Sequence, residues 1–308
     1  VNLPTLKQLQ YLTALYEHGH FGKAADACFV TQSTLSAGLR DLEDALGVVL
    51  VERTKRVVRF TPTGEKVTRK AFAVLREATE LAHLAQAAGA PLSGDLRLGV
   101  IPTIAPFFLP RILPNLRDKY PQLKLFLREE MSHIACEALQ RGQLDCVLLA
   151  LPYPCGDVDS AFLFDDPILA AFHESDIPGP PESVLPFQIE NDRLLLLEDG
   201  HCFTDHAMTA CSRPELRADR AILGTSLHTL VQMVDNKLGL TLLPQMAIDA
   251  GILTNTHVVA KAFATDRANR AITLIWRKKS PREEEFRLLA RELVVRSKRQ
   301  RPDAALPR

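Results

Sequence analysis

The sequence predicts an α/β protein in two unequal parts: a helical N-terminal segment with a basic ribbon and a long helix, then a larger half alternating strands and helices. Three observations carry this. Apolar residues recur at helical spacing to about residue 88. A Gly- and Pro-bearing break, Gly89-Ala90-Pro91-Leu92-Ser93-Gly94, follows. Beyond it, short apolar runs alternate with amphipathic stretches, the order that builds a parallel sheet flanked by helices. The chain has 308 residues, more than one ordinary core accommodates. It holds no run of ~18 apolar residues and no charged stretch leading into an apolar one, so neither a membrane span nor a secretory signal is predicted. A cytoplasmic location and no membrane partner are therefore expected.

In the first segment Leu6, Leu9, Leu12, Thr13 and Tyr16 form one helical stripe, ended by His18-Gly19-His20. Phe21, Ala24, Ala25 and Cys28 form a second. After a break at Val30, with Thr31 as N-cap, Leu35, Leu39, Leu42 and Leu46 define a third helix. Gln32, Ser33, Thr34, Ser36 and Arg40 leave its first turns and outer face able to hydrogen-bond. That is the layout of a helix-turn-helix; a plain three-helix bundle is the alternative. Gly38 inside the third helix is an oddity that costs about 1 kcal/mol relative to Ala. Glu52 to Gly64 then reads as a two-stranded ribbon with a basic tip. Residues 51–70 carry seven Lys and Arg against two acidic side chains in a chain whose 37 basic and 37 acidic residues cancel. Such a wing favours phosphates, giving salt-sensitive affinity without sequence information.

Phe21-x-x-Ala24-Ala25, Thr31-Gln32-Ser33-Thr34-Leu35-Ser36, Leu42-Glu43, Leu46-Gly47, Leu50, Arg53 and Thr61-Pro62-x-Gly64 together resemble the winged helix-turn-helix of LysR-type transcriptional regulators. The resemblance implies a DNA-binding domain over residues 1–64 and double-stranded DNA as partner. Gln32, Ser33, Thr34 and Ser36 would then face base edges, and Arg53, Lys55 and Arg56 the sugar-phosphate backbone. RNA polymerase is a further implied partner.

Val67, Ala71, Val74, Ala78, Leu81, Ala85 and Ala88 alternate steps of four and three, a coiled-coil seam. Residues 65–88 are therefore expected to be a dimerisation helix, with 89–94 as hinge. The effector domain spans 95–296, with subdomain I at 95–164 plus 270–296 and subdomain II at 165–269. Two such subdomains, crossed twice by the chain, make a cleft of the periplasmic-binding-protein type, which the LysR family shares. Residues 297–308 are read as a disordered basic tail.

Ligands in such sheets sit beyond the carboxyl ends of strands. Ile101-Pro102-Thr103, Glu129 to His133, and Glu198-Asp199-Gly200-His201-Cys202 end strands that way, and Arg277 ends a late strand. In the last of these a thiol follows an imidazole, and a second thiol, Cys211, lies nine residues on. Those are the components of a peroxide-reacting cysteine and its resolving partner, although the spacing alone is a weak sign.

Leu197 to Cys202, Asp205, Ala207-Met208 and Cys211, with Ile101-Pro102-Thr103, Leu144 to Val147 and Thr241 to Pro244, are similar to the peroxide-sensing branch of the LysR family. That similarity implies that Cys202 is the peroxidatic cysteine and Cys211 the resolving one. It places Thr103, Ser132, His201, Asp205 and Arg277 around hydrogen peroxide, with Arg277 the cation beside the thiolate. Ser132 stands where relatives carry Thr, and Lys237 where they carry Gly. It further implies a homodimer or homotetramer switched by thiol–disulfide chemistry and controlling oxidative-stress genes. If residues 204–210 are helical, Cys202 and Cys211 start about 13 Å apart, beyond the roughly 4.4–6.8 Å a disulfide allows, so the loop must unwind. No metal or cofactor is expected, and Cys28, Cys136, Cys146 and Cys155 should be free thiols. Three alternatives stay open: a LysR regulator of a small organic effector, a metal sensor using His201, Cys202, His206 and Cys211, and a thiol peroxidase enzyme.

Overall fold

Three helices open the chain, α1 (Leu6–His18), α2 (Phe21–Ala27) and α3 (Gln32–Leu46). Their apolar stripes meet in one core around Leu12, Leu15, Leu35, Leu39 and Leu42. Thr31 caps α3, its hydroxyl accepting the Thr34 N–H at 3.2 Å. Gly38 has a packing reason: a Cβ there would lie 2.7 Å from the Tyr11 ring, so the helix accepts a poor former to let α1 approach. Glu43 carries the chain into the ribbon, its carboxylate accepting the backbone N–H groups of Leu50 and Val51 at 2.8 and 3.1 Å. The ribbon pairs β1 (Val51–Arg53) with β2 (Val58–Phe60), antiparallel.

The computed structural model describes residues 3–53, 58–86, 91–176, 193–210, 223–264 and 268–294, in two compact units, 1–88 and 89–308. Lys55, Arg56, Ala88, Cys211 and the basic tail fall outside the described residues.

α4 (Pro62–Gln86) begins on the Thr61 hydroxyl, which accepts the Gly64 N–H at 2.9 Å. The predicted seam divides along this helix. Ala71 is buried in the N-terminal core with Val67 against it, whereas Val74 and Leu81 are 47% and 71% exposed in the single chain. The first two positions therefore serve the N-terminal unit itself, and only later ones stay open for a partner.

The second unit holds β3 (Gly94–Val100), α5 (Ala105–Lys119), β4 (Leu123–Glu129), α6 (Ser132–Gln140), β5 (Cys146–Leu151) and β6 (Val158–His173). There follow β7 (Leu194–Leu197), α7 (Cys202–Ala210), β8 (Leu223–Gly224), α8 (Leu227–Asp235), β9 (Leu240–Pro244), α9 (Gln245–Asp249), β10 (Val258–Ala262), β11 (Asn269–Arg277) and α10 (Glu283–Leu293). The strand order is β4-β3-β5-β11-β6-β9-β7-β8, with β10 on β6. β3 pairs parallel with β4 and β5, and β7 parallel with β8 and β9. The expected parallel sheet is nevertheless mixed, because β11 runs antiparallel to both β5 and β6.

β6 carries the chain from one half of the domain to the other. Residues 158–167 pair with β11, and 168–173 with β9 and β10. Its Asp165-Asp166-Pro167 interruption hides it from a search for apolar runs. Lys237, just past α8, adopts φ +61°, the left-handed backbone that glycine enters freely and that costs a non-glycine residue roughly 1 kcal/mol or more.

Candidate functional site

On the N-terminal unit, Gln32, Ser33 and Thr34 occupy the first turn of α3 and are exposed, while Ser36 is half-buried one turn on. The Thr31 hydroxyl lies 2.8 Å from those of both Ser33 and Thr34, so these side chains form a pre-oriented polar cluster. Arg53 ends β1, at the ribbon.

In the second unit the thiol stretch folds as a strand end feeding a helix. β7 is buried along its whole length. Gly200, at φ +104°, turns the chain sharply, and α7 starts at Cys202 itself. The Cys202 side chain is 1% exposed. Its backbone N–H reaches the Ser132 hydroxyl at 3.4 Å, at the start of α6. Burial pushes the Cys202 thiol up from its ordinary value; the Ser132 hydroxyl, the charge of Arg270 and the backbone of Ala150 pull the other way, and Asp205 adds to the rise. The resting sulfur is accordingly a protonated thiol.

Arg270 is the cation of this pocket. It is 1% exposed. Its Nε donates to Asp166 Oδ2 at 3.0 Å, its Nη1 to Thr103 Oγ1 at 2.8 Å and its Nη2 to the Thr103 carbonyl at 3.0 Å. The guanidinium lies 5.0 Å from the centre of the Phe203 ring, next in sequence to the thiol. Asp166 also accepts the Met246 N–H at 2.9 Å. Burial nonetheless raises its carboxyl, against the pull of Arg270 and Met246.

The expectation for Arg277 is corrected here. Its Nη1 donates to the carbonyls of Leu139 and Leu144 at 2.9 and 2.7 Å, at the far end of β11. Because β11 is antiparallel to β5, its first residues, not its last, lie at the carboxyl end of that parallel strand: Ala271 pairs with Leu151, and Trp276 with Cys146. Seven steps of about 3.3 Å separate the two arginines by roughly 23 Å.

Thr103, Ser132 and His201 are buried about the thiol and its arginine, whereas Asp205 is exposed on α7. Sequence reasoning gave His206 no part in peroxide chemistry. It is buried on α7, four residues after Cys202 and so on the same helical face. Its Nε2 stands 3.1 Å from the Pro152 carbonyl and must donate to it. That assigns the proton to Nε2 and leaves Nδ1 as a buried lone pair with no partner among the described residues. Burial, then the charge of Arg270, lowers the His206 pKa from 6.5; burial lowers that of His201 likewise. Both imidazoles are neutral at neutral pH. The i, i+4 spacing of Cys202 and His206 was the available signal.

A second correction concerns the other cysteines. Cys136 of α6 and Cys155 of the loop after β5 form a disulfide, with Cα atoms 5.1 Å apart. Neither is the free thiol expected. The α6–β5 crossover brings together residues 19 apart in sequence, which spacing alone does not reveal. Cys146 is a buried free thiol, pushed well up by burial.

Among the described residues, the His/Cys/Asp/Glu set that converges closely is His173, Asp235 and His257, within 4.8 Å. His201, Cys202 and His206 do not converge in this way, which disfavours the metal-sensor alternative. In the converging set, His173 Nδ1 already accepts the Ser175 N–H at 3.1 Å, so its lone pair is committed.

Comparison with known proteins agrees in both units. Residues 6–65 match the bacterial regulatory helix-turn-helix of the lysR family, and 89–296 the LysR substrate binding domain. The transcriptional regulator EstR of Acinetobacter baylyi is 41% identical over 92% of this chain and 94% of its own. The dual regulator OxyR of Escherichia coli is 40% identical over 94% and 95%. A full-length OxyR variant from Pseudomonas aeruginosa superposes with TM-score 0.77 at 34% identity, covering 95% of both chains.

Proposed function

From the premise that the chain belongs to the LysR family of transcriptional regulators, we propose that it is an OxyR-type sensor of hydrogen peroxide, binding double-stranded DNA and controlling oxidative-stress genes. The observation that carries this is the seating of Cys202: a buried thiol at the start of α7, held by the Ser132 hydroxyl and faced by a buried arginine fixed on Thr103 and Asp166. Overall identity does not by itself identify the effector, since the EstR and OxyR relatives score alike. The seating of Cys202 supports peroxide as the effector.

In this reading the Cys202 sulfur gives up its proton as it attacks one peroxide oxygen. The O–O bond breaks, and the departing oxygen takes up the proton the thiol has lost and leaves as water. Arg270 offsets the negative charge that develops on sulfur and oxygen in a site from which water is excluded. Cys202 is left as a sulfenic acid. The Cys211 thiol then condenses with it, forming the S–S bond and a second water. Eight helical steps carry the chain about 12 Å from Cys202 to Ala210, and one more residue spans about 3.8 Å. The disulfide therefore requires part of α7 to unwind, and that change of backbone is the signal. The protein acts once per oxidation, as a sensor and not an enzyme.

Gln32, Ser33, Thr34 and Ser36 read base edges in this proposal, with Arg53, Lys55 and Arg56 on phosphates. A second copy of the chain seats on the exposed Val74–Leu81 face of α4. In the other unit, a groove of about 440 Å³ between α5 and β4, lined by Pro110, Leu113, Leu125 and Leu127, supplies a further apolar surface for a dimer or tetramer. RNA polymerase is the downstream partner and the cytoplasm the working compartment.

Peptide mass mapping before and after one equivalent of peroxide tests the core of the proposal. A new link between residues 202 and 211 is expected. An unchanged map, with DNA affinity shifted instead by a small organic anion, would establish the organic-effector alternative.

A further inference from the structure

Cys136 and Cys155 differ from the sensing pair in one respect: the fold already holds them within bonding range, at a Cα separation of 5.1 Å and 6% and 5% exposed. No segment has to unwind to join or part them. Their location is equally specific. Ser132, which contacts the Cys202 backbone, is the first residue of α6, and Cys136 lies four residues on, one turn along the same face. Cys155 lies three residues after Pro152, whose carbonyl orients His206. Gln140, also on α6, donates to the Cys155 carbonyl at 2.8 Å. The bond thus joins the two elements that hold the sensing thiol and its neighbouring imidazole.

We propose that Cys136–Cys155 is a second, reversible redox pair, responsive to the low-molecular-weight thiol–disulfide pool, that sets how fast Cys202 reacts with peroxide. A regulator that works on DNA operates where thiols are kept reduced, and a disulfide there is usually transient and regulatory. The oxidant is a low-molecular-weight disulfide. One thiolate of the pair attacks a sulfur of that disulfide, forming a mixed disulfide and releasing one thiol. The second thiolate attacks the protein sulfur of the mixed disulfide and releases the other thiol. Two electrons leave the pair, and its two protons end on the two released thiols; reduction is the reverse. With the bond closed, α6 and the 152–155 loop move as one, and Ser132 and His206 keep their places about Cys202. With it open, only the Gln140 hydrogen bond ties the 152–155 loop, and with it the His206 imidazole, to α6. The dependence on Cys202 rests on the peroxide-sensing proposal; the exchange chemistry does not.

The test uses the full-length protein equilibrated in glutathione buffers of graded reduced-to-oxidised ratio. Differential alkylation and peptide mapping report the 136–155 link, and stopped-flow trapping reports sulfenic acid formation at Cys202. We expect the linked fraction to follow the buffer ratio reversibly, and opening the bond to slow Cys202 oxidation by about tenfold. Cys136→Ala and Cys155→Ala should show the slow rate at every ratio. If either variant folds poorly, the wild-type protein opened by a dithiol gives the same reading without substitution. A link absent at all ratios, or closed at all of them, overturns the redox pair. A link that titrates while the Cys202 rate stays constant overturns the coupling. Should Cys202 ignore peroxide in both states, the sensing proposal fails and takes the coupling with it, while the glutathione titration still decides the exchange chemistry.

Discussion

Arg270 and Arg277 sit on one strand, seven residues apart, 1% and 8% exposed, and do different work. Arg270 reaches into the pocket from the end of β11 that meets the carboxyl ends of the parallel strands. There its charge is matched by Asp166 and shared with Thr103 and the Phe203 ring. Arg277, at the opposite end, bonds the carbonyls that close α6 and open β5. A buried arginine is therefore not informative by itself. Strand direction decides whether it faces chemistry or tidies a chain reversal.

The largest effect should follow Arg270→Ala. It removes the cation beside Cys202 and leaves Asp166 buried without its partner, which costs about 3–5 kcal/mol. Sulfenic acid formation should slow by roughly 100-fold. Urea unfolding and stopped-flow oxidation of the same protein measure the two separately. Arg277→Ala breaks the comparison if it slows oxidation as much. Two bonds from a charged donor are lost, so destabilisation of about 2–4 kcal/mol is expected, with an unchanged oxidation rate in the folded protein.

Ser132→Ala sharpens the pocket side of the contrast. Losing one hydroxyl to the thiol and its backbone is worth about 1 kcal/mol, hence about a fivefold slower reaction. Ser132→Thr should restore the rate, since the hydroxyl returns; failure to do so would mean that side-chain volume matters more than the bond.

The smallest effect is a pH dependence. His201 and His206 have folded-state pKa values below 6.5 because burial disfavours their charged forms. The unfolded chain binds their protons first, so stability is full above about 6.5 and declines as pH falls below it. Calorimetry of wild type and His206→Gln should show a shallower acid-side loss in the variant. Identical slopes would place the titration elsewhere.

Local order was legible in the residues. Helical periodicity located α1, α3 and α8, and the Thr31 cap and the Thr61-Pro62-x-Gly64 start of α4 are set by contacts within a few residues. The Leu194–Cys202 strand end was likewise legible, because strands end in local sequence signals, while Thr103 and Ser132 were named as pocket hydroxyls by the resemblance. The long-range decisions were not. Periodicity does not say whether β11 runs with or against β5, so the strand-end reading and the resemblance named Arg277, whereas the register puts Arg270 beside the thiol. A coiled-coil stripe reads the same whether its apolar residues meet a partner or their own domain, so it did not show that Ala71 is buried in its own unit, with Val67 packed against that core. The penalty at Gly38 was visible in the sequence; its cause, the Tyr11 ring, was not. Cys136 and Cys155 meet only because a helix and a strand fold back between them. The sequence by itself determined which side chains end each element, since that depends on hydrogen bonds and apolar periods spanning a turn or two. Only the tertiary structure decided which of those ends share a pocket, because that depends on strand direction and pairing between residues a hundred positions apart.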